Sequence, residues 1–261
     1  MNHPNKRSII SKKLLICISL VLVLFLFNCK FSRIFHKDQN NYFSSSFQCH
    51  SGIGWREQSQ YQRYLGFWTL LRNEYQIDNR KIGNAKIVIT GNSLVHLFTP
   101  NLIEREFPKK GVINRGIGGD MTETLLIRIE EDVLVLEPQV VIIEIGGNDL
   151  IQGKCLSEIQ NNAIAIIEKI RNKNSRTKIV FISIPPTDVP NLNAIVPVYN
   201  SFLASLPSRF PNLIYIDTWQ DMRDPDRPTI REDFVRREIG DRIHFNENGY
   251  SVWGRLIRPH I

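Results

Sequence analysis

The sequence predicts a three-layer α/β domain, a parallel sheet covered by helices on both faces. Five short runs rich in β-branched residues carry that expectation: Lys86 to Thr90, Val112 to Asn114, Val140 to Ile145, Lys178 to Ile184 and Leu213 to Ile216. They are largely continuous apolar runs, as strands buried on both faces are. Helical patterns separate them, at Leu97 to Phe107, Met121 to Leu136, Leu156 to Asn172 and Val198 to Phe210, and a last one spans Tyr250 to Arg258. Such intervening helices supply the crossovers that parallel neighbours need.

The elements before the sheet read differently. Lys6, Arg7, Lys12 and Lys13 precede fourteen residues, Leu14 to Phe27, that are apolar except for Cys17 and Ser19. A run of that length is short for a bilayer of about 30 Å and suits the core of a signal peptide. Residues 1–28 are therefore expected to be a signal peptide or an uncleaved signal anchor, and either places the domain outside the inner membrane. Leu26-Phe27-Asn28-Cys29 resembles a relaxed bacterial lipobox with Cys29 as the lipidation site, although Asn28 stands where a small residue is usual. Residues 29–54 are polar, without sustained periodicity, and read as a tether. From Trp55 to Gln76, Tyr61, Tyr64, Leu65, Trp68, Leu71 and Tyr75 recur at helical spacing, a stripe expected to pack into the core. The domain proper is thus drawn at 55–261.

Charge excludes one class of partner. The formal net charge is +7, but without the leader 29 basic residues face 26 acidic ones. No basic stripe interleaved with aromatics remains, so nucleic-acid binding is not expected. Cys49 and Cys155 are the cysteines left outside the leader and lipobox, and their spacing leaves open whether they bridge or stay free thiols. No cysteine or histidine spacing suggests a metal site.

Four polar clusters interrupt the apolar pattern where ligands bind in such sheets, at strand carboxyl ends and before the last helix. Gly91-Asn92-Ser93 ends the first strand and places a hydroxyl there. Asn114-Arg115-Gly116-Ile117-Gly118-Gly119-Asp120 follows the second, with Met121 where a dinucleotide-binding loop needs glycine. Its glycine at a strand end suits either a tight turn or a backbone N–H approaching a ligand. Gly146-Gly147-Asn148-Asp149 ends the most apolar strand. There Asn148 can donate to an oxyanion or cap the next helix, while Asp149 reads as structural. In Asp241-Arg242-Ile243-His244 the acid can fold back within one turn onto the imidazole and free its other nitrogen as a base. A serine hydroxyl needs such a base at neutral pH. His96 reads as a helix-surface or rim residue and Arg115 as solvated surface.

Gly91-Asn92-Ser93-Leu94, Gly116, Gly146-x-Asn148-Asp149 and Asp241-x-x-His244, in this order over residues 55–261, together resemble the signature blocks of the SGNH, or GDSL-type, hydrolases. The wider wording around Val112 to Gly119 and His244 to Tyr250 is similar to the branch containing platelet-activating-factor acetylhydrolase catalytic subunits. The resemblance implies a flavodoxin-like five-stranded sheet and no cofactor. It implies Ser93 as nucleophile, His244 as base, Asp241 as its orienter, and an oxyanion hole of the Ser93 N–H, the Gly116 N–H and the Asn148 side chain. The departure is Asn92, where the family name has aspartate; an amide acceptor serves the same turn. The expected function is an exported, membrane-held serine esterase acting on a short-chain, acetyl-type ester of a small molecule, lipid or glycan. The alternatives are an acyltransferase on cell-envelope glycans and a non-catalytic binding module on the same fold.

Overall fold

The computed structural model describes residues 41–261. The leader at 1–28 and Cys29 lie outside the described residues. Residues 41–47 belong to a unit of their own, in which the Tyr42 and Phe47 ring centroids lie 4.4 Å apart with the rings tilted by 35°, and Gln48–Ile261 form the second unit.

In that second unit, helix α1 (Gln58–Ile82) buries Tyr61, Tyr64 and Asn79. Strand β1 (Ile87–Gly91) leads into a single turn, α2 (Ser93–His96), and α3 (Pro100–Glu106). Then follow β2 (Val112–Gly116), α4 (Thr122–Asp132), β3 (Val140–Glu144), α5 (Gly147–Ile151), α6 (Leu156–Lys173) and β4 (Lys178–Ile182). Helix α7 (Pro190–Ser205), β5 (Leu213–Ile216), α8 (Trp219–Met222), the hairpin of β6 (Val235–Arg236) and β7 (Asp241–Phe245), and α9 (Glu247–Ile257) complete the chain.

The five main strands are all parallel, in the order β2-β1-β3-β4-β5. Helices α4, α6 and α7 pack together on one face, and α3, α8 and α9 on the other, which makes three layers. On the α3/α9 face Ile87, Ile89, Ile142 and Val180 meet Phe98, Phe107 and Trp253 in a continuous apolar core. The order of the sheet reverses between β1 and β3, and the crevice beyond the strand ends there is the natural ligand site of such a fold. Both Ser93 and Asn148 stand at that crevice.

Helix α1 runs on to Ile82, past the expected end at Gln76, and two further segments differ from expectation. Helix α7 begins at Pro190, ahead of Val198, because burial of Leu192, Ile195, Val196 and Tyr199 outweighs the backbone bond lost at the internal Pro197. Residues 48–54, expected to belong to a tether, are part of the compact unit instead. Cys49 and Cys155 form a disulfide with Cα atoms 4.8 Å apart, closing a span of 106 residues. Beside it the His50 N–H donates to the Gly153 carbonyl at 2.7 Å, and the Gly54 N–H donates to Glu123 Oε1 at 2.6 Å. A segment held by backbone bonds and one covalent link needs no apolar periodicity, so its sequence resembles a linker. Among the described residues, no helix is long and apolar enough to cross a membrane.

Candidate active site

Ser93 stands where β1 hands over to α2. Asn92 is the N-cap of that turn, its Oδ1 accepting from the Leu94 N–H at 2.9 Å. An amide oxygen does this as well as a carboxylate, so the out-of-pattern residue keeps the local geometry. From 151 residues away His244 brings its Nε2 to 2.7 Å from Ser93 Oγ. On the other side of the ring, His244 Nδ1 lies 2.8 Å from Asp241 Oδ2.

The acid and histidine lie on strand β7. The pairing survives because Asp241 folds onto its own strand, Oδ1 accepting from the Ile243 N–H at 2.9 Å and the His244 N–H at 3.0 Å. Burial pushes the Asp241 carboxyl up, but these bonds and the His244 ring outweigh it and hold the group below its ordinary value. Asp241 thus stays ionised, able to orient the imidazole and stabilise its cation.

The glycine of the second cluster needs correction. The Gly116 N–H is already given to Asn114 Oδ1 at 2.8 Å, so it is not free for an oxyanion. Gly116 is a packing residue: a Cβ there would lie 2.5 Å from the His96 nitrogen and 2.7 Å from Val95 Cβ, pushing α2 off the sheet. The turn just beyond is better placed. Asp120 N–H closes onto Ile117 O at 3.1 Å, with Gly119 at φ +89, the positive φ that the third position of a type II turn requires. A Cβ on Gly118 would stand 3.8 Å from Ser93 Cβ. Among the described residues the Gly118 and Gly119 N–H groups have no intramolecular acceptor. Sequence spacing could not choose among three nearby glycines; the side chain of Asn114 does.

Asn148 faces the same crevice. It spends one Nδ2 hydrogen on the Asp120 carbonyl at 2.9 Å and keeps the other. Asn148, Ser93, Glu144, Ile184, Leu192 and Ile243 are among the residues lining a cavity of about 20 Å³ beside the hydroxyl. That is room for roughly one water-sized group.

Two buried carboxyls back the site. Burial pushes Glu144 up to about 8, against the pull of the Asn92 amide, and Asp149 up to about 7, against hydrogen bonds from Thr122. Asp149 is structural as expected, accepting from the Thr122 hydroxyl at 2.6 Å. Glu144 was not anticipated, although one acid in the run Val140 to Ile145 was the visible signal. His96 does sit on the rim, half-buried, with Nδ1 3.1 Å from the Gly116 carbonyl and its ring edge-on to Phe67. Arg115, expected in solvent, is instead buried against Asp78, Asn79 and the Tyr75 ring. Among the described residues no cluster of three His, Cys, Asp or Glu is placed to hold a metal.

A hydroxyl, an imidazole and a carboxylate stand in line at the crevice of a parallel sheet, the arrangement that nucleophilic-serine hydrolases use. The GDSL-like lipase/acylhydrolase family model matches residues 88–252, and the chain belongs to that family, whose members act on ester bonds. Human platelet-activating factor acetylhydrolase IB subunit alpha1 is 28% identical over 123 residues, 46% of this chain and 52% of that protein. Esterase TesA of Pseudomonas aeruginosa is 30% identical over 94 residues, 36% of this chain and 47% of that protein. The matches thus span about half the length of these curated relatives. A GDSL-like lipase from Bacteroides thetaiotaomicron superposes with a TM-score of 0.61 at 19% identity, covering 72% of this chain and 95% of that one.

Proposed function

We propose that the protein is a serine esterase that removes a short acyl group, acetyl best, from an ester through an acyl-enzyme. The carrying observation is the chain of contacts Ser93 Oγ to His244 Nε2 at 2.7 Å and His244 Nδ1 to Asp241 at 2.8 Å. His244 takes the serine proton as Oγ attacks the ester carbonyl, then gives it to the departing alcohol. The acyl group stays on Ser93 until a water, deprotonated by the same nitrogen, releases it as the acid. The oxyanion formed in each half is met by the Ser93 N–H, the free hydrogen of Asn148 and an N–H of the Gly118–Gly119 turn. The cavity of about 20 Å³ beside Ser93 favours a methyl group on the acyl side over a longer chain. The acetylhydrolase among the relatives agrees with that preference.

The decisive test compares wild type with Ser93→Ala on p-nitrophenyl acetate, butyrate and octanoate. The wild type is expected to prefer acetate and Ser93→Ala to lose turnover. Equal rates for the two proteins would refute the assignment.

The same reading has the domain exported and held at the membrane through residues 1–28 or a lipid on Cys29. The Cys49–Cys155 disulfide supports it, because such bridges persist in oxidising compartments. Cys29→Ser is expected to abolish palmitate labelling of the full chain; unchanged labelling would remove the lipoprotein assignment.

A further inference from the structure

The three oxyanion donors proposed above come from different segments, and one buried side chain touches the supports of all of them. The Asp120 carboxylate is fully buried. Its Oδ1 accepts from the Tyr64 hydroxyl at 2.7 Å, from Trp68 Nε1 at 3.1 Å and from the Thr124 hydroxyl at 3.0 Å. Its Oδ2 accepts from Arg128 Nε at 2.7 Å. Both carboxylate oxygens are thereby held in fixed directions by donors from α1 and α4.

What that carboxylate holds in turn is the backbone of residue 120. The Asp120 N–H closes the Ile117–Asp120 turn at 3.1 Å, and the Asp120 carbonyl is the acceptor for Asn148 Nδ2 at 2.9 Å. Arg128, fully buried as well, lies 3.4 Å from the Gly91 carbonyl, two residues before Ser93, and 3.3 Å from Thr90 Oγ1. Burying an ion pair is costly, and an apolar replacement of equal volume is often as stable. The position of this pair, under the catalytic crevice, gives it work that apolar packing could not do.

We propose that Asp120 is a positioning residue: gripped by Tyr64, Trp68, Thr124 and Arg128, it fixes the glycine turn and the Asn148 amide relative to Ser93. Through it, the aromatic face of α1, outside the four signature clusters, sets the geometry of the oxyanion hole. The proposal rests on the oxyanion assignment above. A shift of about 1 Å in such donors costs on the order of 100-fold in rate, so the effect falls on kcat.

The test is a double-mutant cycle on p-nitrophenyl acetate hydrolysis, with folding checked by circular dichroism and Tm. Asn148→Ala is expected to slow kcat by about 100- to 1,000-fold. Asp120→Asn is expected to lower kcat by about 30- to 100-fold, with KM changed less than about 3-fold. In the Asn148→Ala background the Asp120→Asn loss should shrink to about 5-fold or less, because part of what Asp120 positions is already gone. Tyr64→Phe, which removes one donor and keeps the backbone, should show the same pattern at smaller size and serves if Asp120→Asn does not fold. If Asn148→Ala is slow but the losses multiply in full, Asp120 is merely structural and the proposal falls alone. If Asn148→Ala is as fast as wild type, the oxyanion assignment fails and takes the proposal with it.

Discussion

His244 Nε2 stands 2.7 Å from Ser93 Oγ, although the two residues are 151 positions apart and belong to different elements, α2 and β7. The serine is fixed by the end of β1, and the imidazole by the acid beside it on β7.

Because Asp241 holds that imidazole through Nδ1, replacing it should spare the fold and hurt the chemistry. Asp241→Asn is expected to lower kcat by about 10,000-fold, since an amide favours the wrong tautomer of the ring. Stopped assays on p-nitrophenyl acetate, with labelling by a fluorophosphonate probe as a second readout, measure this. Labelling at the wild-type rate would contradict the orienting role.

Gly116 and Gly118 should respond differently to a methyl group. Gly116→Ala puts a Cβ 2.5 Å from the His96 nitrogen and is expected to destabilise the domain by about 1–3 kcal/mol. Gly118→Ala meets only ordinary contacts at 3.8 Å, with Phe67 and Ser93, and should keep the wild-type urea midpoint. Urea titrations of the two variants distinguish them.

Glu144 is expected to make stability fall with rising pH. Its carboxyl is pushed from an ordinary 4.5 up to about 8, so between these values the folded protein keeps a proton that the unfolded chain releases. Each pH unit inside that window costs at most about 1.4 kcal/mol from this group. Glu144→Gln is expected to flatten the slope and to be the more stable protein at pH 8. Thermal melts from pH 5 to pH 9 check it, and a slope unchanged by the substitution would rule out Glu144 as its source.

Removing the Cys49–Cys155 bridge should cost about 2–5 kcal/mol. The double Cys→Ser variant and the wild type in dithiothreitol are expected to melt at the same lowered temperature. A wild-type melt indifferent to reductant would show that the bridge adds nothing to stability.

Much of the sheet was legible in the sequence because buried parallel strands are continuous apolar runs, and the lengths of β1 to β5 follow those runs closely. Ser93, Asn148 and His244 were visible as polar residues where apolar pattern should continue. What stayed hidden depends on partners far away in the chain. The burial of Arg115 needs Asp78 and Asn79 on α1, and the loss of the Gly116 N–H needs the side chain of Asn114. A three-residue spacing between acid and histidine fits a turn and a bent strand alike, and only the pairing with β6 decides it. The start of α7 is hidden in the sequence because Pro197 is a local breaker overruled by packing.

The disulfide between Cys49 and Cys155 divides the proposed catalytic residues by topology. Ser93, the Gly118–Gly119 turn, Asp120 and Asn148 all lie inside the covalent ring; Asp241 and His244 lie outside it. One set is confined by a bond that survives unfolding, the other only by the packing of β7 and α9. An opening that frees the β6–β7 hairpin would therefore separate the proposed base from the proposed nucleophile, while leaving Ser93 and the proposed oxyanion donors tied in one loop.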